Sequence, residues 1–482
     1  MTRLNKLTFF LLCSTIILTT LAYGTVHQPL IALFYAAVVA AMMLWAADSI
    51  FSGEVRFSRS ELQIPLFLLG VYALIQAIPF GTFGTGGSLS QGVPDIPRTI
   101  SLEPFATKVA ALHIFSLVIF SGLVLASLHT AARLRRITSV LVIFGFVYAF
   151  YAILQAVLSP DKIYGIYRPA SAVPFGSFVN RHDFAAIIEM TISLPLGLIF
   201  TGAIRSDKRL LYGLAVALMA SSLLLSGSRG GLVALVAEII LLVILTSRFK
   251  GRRNLILKAG LSILLAVAAI GGAIFVGGDT SLTRISETAS SDDVSSNRIH
   301  IWAVTTKVIA DNMPFGAGLG AFAQAYTKFD TSGGYERVEQ AHNDYLQLLA
   351  DAGIVGLVIG GMFLFWFFRE GVRSAVVENT FRRGIAIGAF AGCFAVLIHS
   401  LFDFVLHITA ISVMFVTLMG ILVASGRSYS DDIEEIDVPK RKRHRSASVT
   451  QIVARQTEDK ALRTSRSQDS SSSPNQPPNH AV

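Results

Sequence analysis

Charged side chains are scarce in this sequence. Asp, Glu, Lys and Arg make up 15% of the 482 residues, whereas 53% of the residues are hydrophobic. The mean hydropathy is +0.60. A water-soluble domain cannot bury so much apolar surface, so this balance excludes an ordinary soluble protein. The composition predicts an all-α polytopic membrane protein.

Cysteine is nearly missing as well. The two cysteines, Cys13 and Cys393, both lie within apolar runs. This excludes a cysteine-based metal cluster and gives no sign of a disulfide framework. The net charge of +9 does not indicate nucleic-acid binding, because most of the excess lies in short loops and in the tail. We therefore expect no nucleic-acid partner.

Long apolar runs dominate what is present. A hydropathy window predicts about twelve transmembrane helices. The first run follows Arg3 and Lys6, as in a signal peptide, but no small-residue cleavage site comes after it, so we expect a retained span. The predicted spans are 7–23, 29–47, 64–80, 107–128, 137–158, 184–202, 210–226, 231–247, 255–276, 346–368, 384–405 and 408–425.

Basic clusters fall in alternate loops between these spans. They are "RFSR", "RLRR", "RSDKR", "SRFKGRR" and "FRR". The positive-inside rule makes those loops and both termini cytoplasmic. The transmembrane domain is predicted to cover 1–426, with one long periplasmic loop at about 277–345. The charged and Ser-rich segment 427–482 predicts a disordered cytoplasmic tail, whose "KRKRHR" either anchors the topology or contacts anionic membrane lipids.

An arginine on the outer side is not required by topology. Arg229 in "SGSRGGLVAL" stands at the outer start of a span, where the partial positive charge of a helix N-terminus repels a guanidinium. An anion between the two would remove the conflict, and the adjacent glycines would let backbone N–H groups approach it. An arginine that reaches up to headgroup phosphates explains the pattern equally well.

A second outer arginine, Arg298, opens "RIHIWAVTTKVIADNMPFGAG" in the long loop. This segment predicts a short amphipathic helix that begins near Asn297, with Ile299, Trp302 and Ile309 near one face. Trp302 could stack on the guanidinium. Bidentate binding of phosphate suits arginine, and an ordinary surface position is the alternative.

Polar groups also stand at the outer ends of three other spans. His342, in "AHNDYLQLLADAGIVGL", could act as a general base or simply bond to a loop carbonyl. Asp344 could orient its ring or be a surface carboxylate at a helix start. Arg181 precedes a span in "GSFVNRHDFAA". Asp403, in "HSLFDFVLH", is placed near the end of the span 384–405, where it is a functional candidate or pairs with an arginine.

These groups suit one kind of chemistry on the outer side of a membrane. A glycan carried on a polyprenyl pyrophosphate offers an apolar tail for the bilayer and two phosphates at its surface. Arginines would neutralise the phosphates and a histidine would activate an acceptor hydroxyl, so the transfer needs a base, an anion clamp and alignment but no metal or cofactor.

The motifs "SRGGLVAL", "RIHIW…MPFGAGLGAF" and "HNDYLQLLADAGIVGL", in this order around one long loop, resemble the O-antigen ligase and polymerase superfamily. The resemblance is strongest from about 175 to 403. It implies a fold of the C type of glycosyltransferases (GT-C-like) and an inverting, metal-independent enzyme in the bacterial inner membrane, with a periplasmic active site. One departure is His182 in "NRHD", where relatives often show a second Asn.

The resemblance also implies substrates and roles. The donor would be a glycan on undecaprenyl pyrophosphate, and the acceptor a lipid-linked repeat unit or lipid A–core, with a polysaccharide chain-length regulator as a further partner. Arg229 and Arg298 would bind pyrophosphate and His342 would be the general base. Apart from the resemblance, the residues themselves offer auxiliary candidates: Arg181 or Arg284 could complete a phosphate site, and Asp344 and Asp403 could orient other groups. We favour a polymerase of O-antigen or exopolysaccharide over a ligase, and a flippase for the same lipid carrier is the alternative.

Overall fold

The computed structural model describes residues 2–83, 96–169, 172–247, 293–331 and 337–427. All of them belong to one compact unit, Met1–Ser428. Helices make up most of this unit, and one short antiparallel pairing joins strands β1 (Thr82–Phe83) and β2 (Ile96–Pro97). The helices are α1 (Arg3–Leu21), α2 (Gln28–Ser52), α3 (Gln63–Gln76), α4 (Pro104–Ser127), α5 (Ala131–Leu158), α6 (Arg181–Thr201), α7 (Arg209–Ser226), α8 (Arg229–Ser247), α9 (Asp293–Asn312), α10 (Phe322–Thr327), α11 (Asp344–Ser374), α12 (Thr380–His399) and α13 (Thr409–Ser425).

The prediction of a polytopic all-α membrane protein is confirmed. Within the described residues, nine helices are long and apolar enough to cross a membrane, and α3 and α13 are shorter apolar helices. Each predicted span falls on one of these helices, except 255–276, which lies outside the described residues. Residues 277–292 and 332–336 of the predicted loop, and the predicted tail after Arg427, also lie outside the described residues.

The predicted span 384–405 extends beyond its helix into a turn. The window placed 384–405 in the membrane, but α12 ends at His399 and the chain turns between residues 400 and 408. Leu401, Phe402 and Phe404 keep this turn apolar, which explains the error. Asp403 therefore lies in a turn and not within a helix.

Short polar side chains begin the helices that carry the site. Asn180 accepts a hydrogen bond from the His182 N–H at the start of α6. Asn343 accepts hydrogen bonds from the N–H groups of Tyr345 and Leu346, both at 3.0 Å, at the start of α11. Such caps satisfy backbone donors that have no partner within a helix.

The centre of the bundle is the packing of α6 against α12. Helix α12 carries glycine at every fourth position, at Gly384, Gly388 and Gly392. A Cβ placed on Gly388 would lie only 2.6 Å from the carbonyl oxygen of Ser193 in α6. Small residues with this spacing let two helix backbones approach closely. The glycines therefore fix α12, and the turn that follows it, against α6.

Helix α11 is broken at Gly353, whose φ of 58° is left-handed. The loop that follows α9 fills the break, because Ala317 and Gly318 donate to the carbonyls of residues 350 and 351 at 2.8 and 2.9 Å. Pro314 accepts from the N–H of Ile354 at 2.9 Å. These bonds hold the C-terminal end of α9 against α11.

Helix α9 begins earlier than predicted, and its buried face includes only two of the three residues that were predicted on it. It starts at Asp293, so Asn297 lies inside it. The buried residues are Ile301, Val304 and Val308, with Trp302 and Ile309 packed beside them. Ile299 was predicted on the apolar face but is 60% exposed.

Candidate active site

His342 stands at the start of α11 in an uncommon backbone conformation. Its φ is 49°, in the left-handed region that few non-glycine residues adopt. The preceding residue, Ala341, is held at both ends. Its carbonyl accepts from the Trp302 indole at 3.0 Å, and its N–H donates to the Gln347 side chain at 2.7 Å. Trp302 thus fixes the backbone at His342 instead of the predicted stacking on Arg298.

The His342 ring faces the carboxylate of Asp403. Nδ1 of His342 lies 3.0 Å from Oδ1 of Asp403, and the ring packs edge-on against Phe404 at a centroid distance of 4.9 Å. The His342 side chain is 32% exposed, whereas that of Asp403 is 3% exposed. A carboxylate can only accept, so Nδ1 carries the proton and Nε2 keeps its lone pair for a proton from outside.

Asp403 is buried but stays ionised. Burial by itself raises the pKa of this carboxyl, but the hydrogen bond from His342 and the positive charge of Arg298 outweigh it. The net effect holds the pKa of Asp403 well below its usual range. The N–H of Phe404 also donates to Oδ1 at 3.0 Å. Asp403 is thus placed to orient His342, and its ion pair with Arg298 meets the other alternative that the sequence left open.

Arg298 reaches the same turn from α9. Its Nη1 donates to the Phe402 carbonyl at 2.7 Å and its Nη2 lies 3.3 Å from Oδ2 of Asp403. The side chain is 31% exposed. A guanidinium has five N–H donors, so these two contacts leave others for an outside acceptor. Arg298 and His342 therefore flank one carboxylate, as two of the three residues that the sequence placed in the site.

Arg229 begins α8 next to this turn. A Cβ on the adjacent Gly230 would lie 2.8 Å from Cδ2 of His399 and 3.4 Å from Cβ of Phe402. Phe402 is also the residue whose carbonyl binds Arg298. Arg229 itself is exposed, and it makes no hydrogen bond or ion pair with any residue that the structure describes. With respect to the part of the chain described, its guanidinium is therefore available to an anion.

The start of α6 lies beside the start of α8. Nδ1 of His182 is 2.8 Å from Oγ of Ser228, the residue that precedes Arg229. Arg181 is on the same side, since its Nη1 would lie 3.5 Å from a Cβ on Gly227. The structure thus brings Arg181 near Arg229, whereas Arg284 lies outside the described residues.

Asp344 has a different partner from the one the sequence suggested. Its Oδ1 lies 2.8 Å from Nδ1 of His407, and its Oδ2 accepts from the N–H of Leu406 at 3.1 Å. It therefore does not orient His342. The side chains of His342 and Asp344, two residues apart at the start of a helix, point in different directions, so the orienting role that the sequence left open for Asp344 is excluded.

A second buried pair escaped the sequence analysis. Nδ1 of His399 in α12 lies 2.9 Å from Oε1 of Glu189 in α6, and both side chains are fully buried. Glu238 of α8 is also fully buried, and neither of its carboxylate oxygens has a hydrogen-bond partner among the described residues. His399, Asp403 and His407 recur every fourth residue in "HSLFDFVLH", which was the available signal.

The assembled groups can do two things. His342 can take a proton at Nε2, because Asp403 fixes its tautomer and favours the imidazolium that forms. Arg298, on the same carboxylate, keeps N–H donors that can bind an anion. In the part of the chain described, no three His, Cys, Asp or Glu side chains come together as metal ligands.

A comparison with family models supports this picture. Residues 214–360 match the family described as O-antigen ligase, a stretch that contains Arg229, Arg298 and His342. A comparison with curated proteins gives no match. The family acts on lipid-linked glycans with glycosyltransferase-type chemistry. The resemblance of this membrane protein to the O-antigen ligase and polymerase superfamily is therefore confirmed, and the match lies in residues 214–360.

Proposed function

We propose that this protein transfers a glycan from undecaprenyl pyrophosphate to an acceptor sugar hydroxyl at the periplasmic face of the bacterial inner membrane. The carrying observation is the contact of His342 with the buried Asp403, which also binds Arg298. We further propose a GT-C-like fold and a reaction that inverts the anomeric carbon without metal or cofactor.

The proposed chemical step is a single displacement. Nε2 of His342 takes the proton of the acceptor hydroxyl while its oxygen attacks the anomeric carbon of the donor. The bond from that carbon to the pyrophosphate oxygen breaks, and undecaprenyl pyrophosphate leaves with the electron pair. Attack from the face opposite to the leaving group inverts the configuration. General base catalysis of this kind contributes about 10²–10⁴-fold.

Two arginines would stabilise the leaving group. Arg229 has no partner among the described residues and lies at a helix start, where phosphate oxygens can also accept backbone N–H bonds. Arg298 keeps free donors after binding Phe402 and Asp403. Asp403 contacts both His342 and Arg298. Binding of phosphate to Arg298 would therefore change the interaction of Asp403 with His342.

The side of the membrane follows from charge. Arg56, Arg133 and Arg205 lie at the opposite ends of the helices from His342, which makes those ends cytoplasmic under the positive-inside rule. The site then opens to the periplasm, and both termini are cytoplasmic. Activated lipid-linked glycans are the donors that fit there.

We favour a polymerase, in which the acceptor is another lipid-linked repeat unit and a chain-length regulator is a partner. A ligase would use lipid A–core or another terminal acceptor. The glycan left on the carrier in a strain lacking this protein separates the two. Single repeat units mean a polymerase, and long stranded chains mean a ligase.

The test of the function itself uses the same strain complemented with wild type, His342→Ala or His407→Ala. His407 is a matched control, because it also pairs with a carboxylate at the same turn but through Asp344. We expect His407→Ala to restore the glycan and His342→Ala to fail at equal protein levels. Restoration by His342→Ala would remove this residue as the base.

One observation favours a second function, a flippase for the same carrier. Glu189, Glu238 and His399 are ionisable groups buried inside the helix bundle, and transporters place such groups between their helices. A flipping assay with purified protein in liposomes distinguishes the flippase from the transferase. Flipping of labelled carrier that is lost in Glu238→Gln and kept in His342→Ala would favour the flippase.

A further inference from the structure

The N-termini of two helices meet at a side-chain hydrogen bond. Helix α6 begins with Arg181 and His182, and helix α8 begins with Arg229 just after Ser228. Nδ1 of His182 and Oγ of Ser228 are 2.8 Å apart. Each helix N-terminus carries partial positive charge, so the two starts and the two arginines make this region attractive to anions.

The hydrogen-bond network assigns the tautomer of His182. Ser228 is fully buried, and its Oγ already accepts the N–H of Gly231 at 3.2 Å as the cap of α8. The hydroxyl proton must then be donated, because a buried hydroxyl proton without an acceptor is costly. The acceptor that the structure provides is Nδ1 of His182. Nδ1 therefore carries the lone pair and Nε2 carries the proton.

The two histidines of the site are thus in opposite states. The carboxylate of Asp403 accepts from Nδ1 of His342 and leaves Nε2 as a base, whereas the hydroxyl of Ser228 donates to Nδ1 of His182 and leaves Nε2–H as a donor. Nε2 of His182 bonds to no described residue, and the ring is half-buried. A neutral N–H donor therefore lies at the start of α6, on a ring that is bonded to the residue preceding Arg229. The guanidinium of Arg229 has no partner among the described residues.

We propose that His182 binds a phosphate oxygen of the lipid-linked pyrophosphate through Nε2–H, as a neutral hydrogen-bond donor held in that tautomer by Ser228. This rests on the proposed function and adds a substrate-binding residue to it. The donor does not change its charge during the reaction, so its role differs from that of His342. The two arginines attract the phosphate by charge, and the hydrogen bond from His182 would in addition fix the orientation of the phosphate.

Two variants of nearly equal length separate a donor from a packing role. His182→Gln keeps an N–H donor near the position of Nε2, and His182→Met fills similar space without one. Binding of undecaprenyl pyrophosphate and of undecaprenol is measured on purified full-length protein in lipid nanodiscs. We expect Met to weaken pyrophosphate binding about 10- to 100-fold and Gln to weaken it about 3-fold or less, from the strength of hydrogen bonds to charged groups. Undecaprenol binding should be equal in all.

The controls keep the outcomes apart. His129→Met changes a half-buried histidine in the turn between α4 and α5, at the opposite end of the helices, and should bind like wild type. Equal binding of pyrophosphate by wild type and His182→Met would overturn the inference, as would a Gln variant as weak as Met. If wild type itself shows no preference for undecaprenyl pyrophosphate over undecaprenol, the proposed function fails instead.

Discussion

Replacing Asp403 by Asn removes one charge and keeps the shape of the side chain. The carboxylate accepts three hydrogen bonds: His342 at 3.0 Å, the Phe404 N–H at 3.0 Å and Arg298 at 3.3 Å. An amide cannot satisfy all three. If its oxygen faces His342 and Phe404, its NH₂ group meets the guanidinium of Arg298. If it turns over, the NH₂ group meets the Phe404 N–H and forces the proton of His342 onto Nε2.

Either orientation has a calculable cost. One buried donor facing another costs about 1–3 kcal/mol of stability. The reversed orientation also takes away the lone pair that makes His342 a base, and general base catalysis contributes about 10²–10⁴-fold. A guanidinium prefers the amide oxygen to its NH₂ group, so Arg298 favours the reversed orientation. We therefore expect the turnover number of Asp403→Asn to fall by about 100-fold, the lower end of the range for general base catalysis.

The assay is transfer from synthetic lipid-linked glycan by purified protein, normalised to folded protein by thermal unfolding. Asp344→Asn is the matched control, because Asp344 is also buried and also binds one histidine and one backbone N–H. It should lose similar stability but keep a turnover number within a few-fold of wild type. Wild-type turnover in Asp403→Asn, or equal losses in both variants, would refute the orientation of His342 by Asp403.

Four further predictions concern binding and stability. Arg229→Ala should raise the Michaelis constant for the lipid-linked donor about 10- to 100-fold, since it removes charged hydrogen bonds; an unchanged constant in transfer assays would exclude Arg229 from the phosphate site. Asn343→Ala should lower the free energy of unfolding by about 1–2 kcal/mol through the lost cap, as a reduced melting temperature; unchanged melting would contradict this. Gly388→Ala should destabilise by about 1–3 kcal/mol, because its Cβ meets a backbone oxygen, while Gly361→Ala, with nothing within 4 Å, should not; equal melting of the two would count against close α6–α12 packing. The lowered pKa of Asp403 stabilises the fold above about pH 4, the pKa in the unfolded chain, and this contribution is lost as pH falls through the folded pKa. The difference in melting temperature between wild type and Asp403→Asn should therefore shrink as pH falls below about 4. A difference that stays constant with pH would contradict the lowered pKa.

Hydropathy predicted the helices well because bilayer-length apolar runs leave few alternatives. It failed where the chain must turn while remaining apolar. The turn at 400–408 is set by distant groups: Asp344 donates its N–H to Ser400 at 2.9 Å, and Asn343 donates to the Leu401 carbonyl at 2.9 Å. Nothing within residues 384–405 encodes those partners. The close packing of α12 was open to prediction, from glycine at every fourth residue.

The chemistry of single residues was easier to predict than their pairing. A histidine and two arginines on one side of the membrane suggested a base and an anion clamp, and the structure places Arg298 and His342 on one carboxylate. Which carboxylate orients His342 depends on the path of the chain between α12 and α13. The sequence left this role open for Asp344, two residues away, whereas the partner in the structure, Asp403, is 61 residues away.

The turn between α12 and α13 gives the site a property that separate residues would not have. Its residues contact Arg298 of α9, His342 and Asp344 at the start of α11, and Gly230 at the start of α8. The turn is itself fixed to α6 by the glycines of α12. The proposed base, His342, and the helices that carry the proposed anion site therefore all contact this one short segment. Because proximity and alignment would account for much of the proposed displacement, a shift of this turn should separate the proposed base from the leaving group and lower transfer more than it lowers binding.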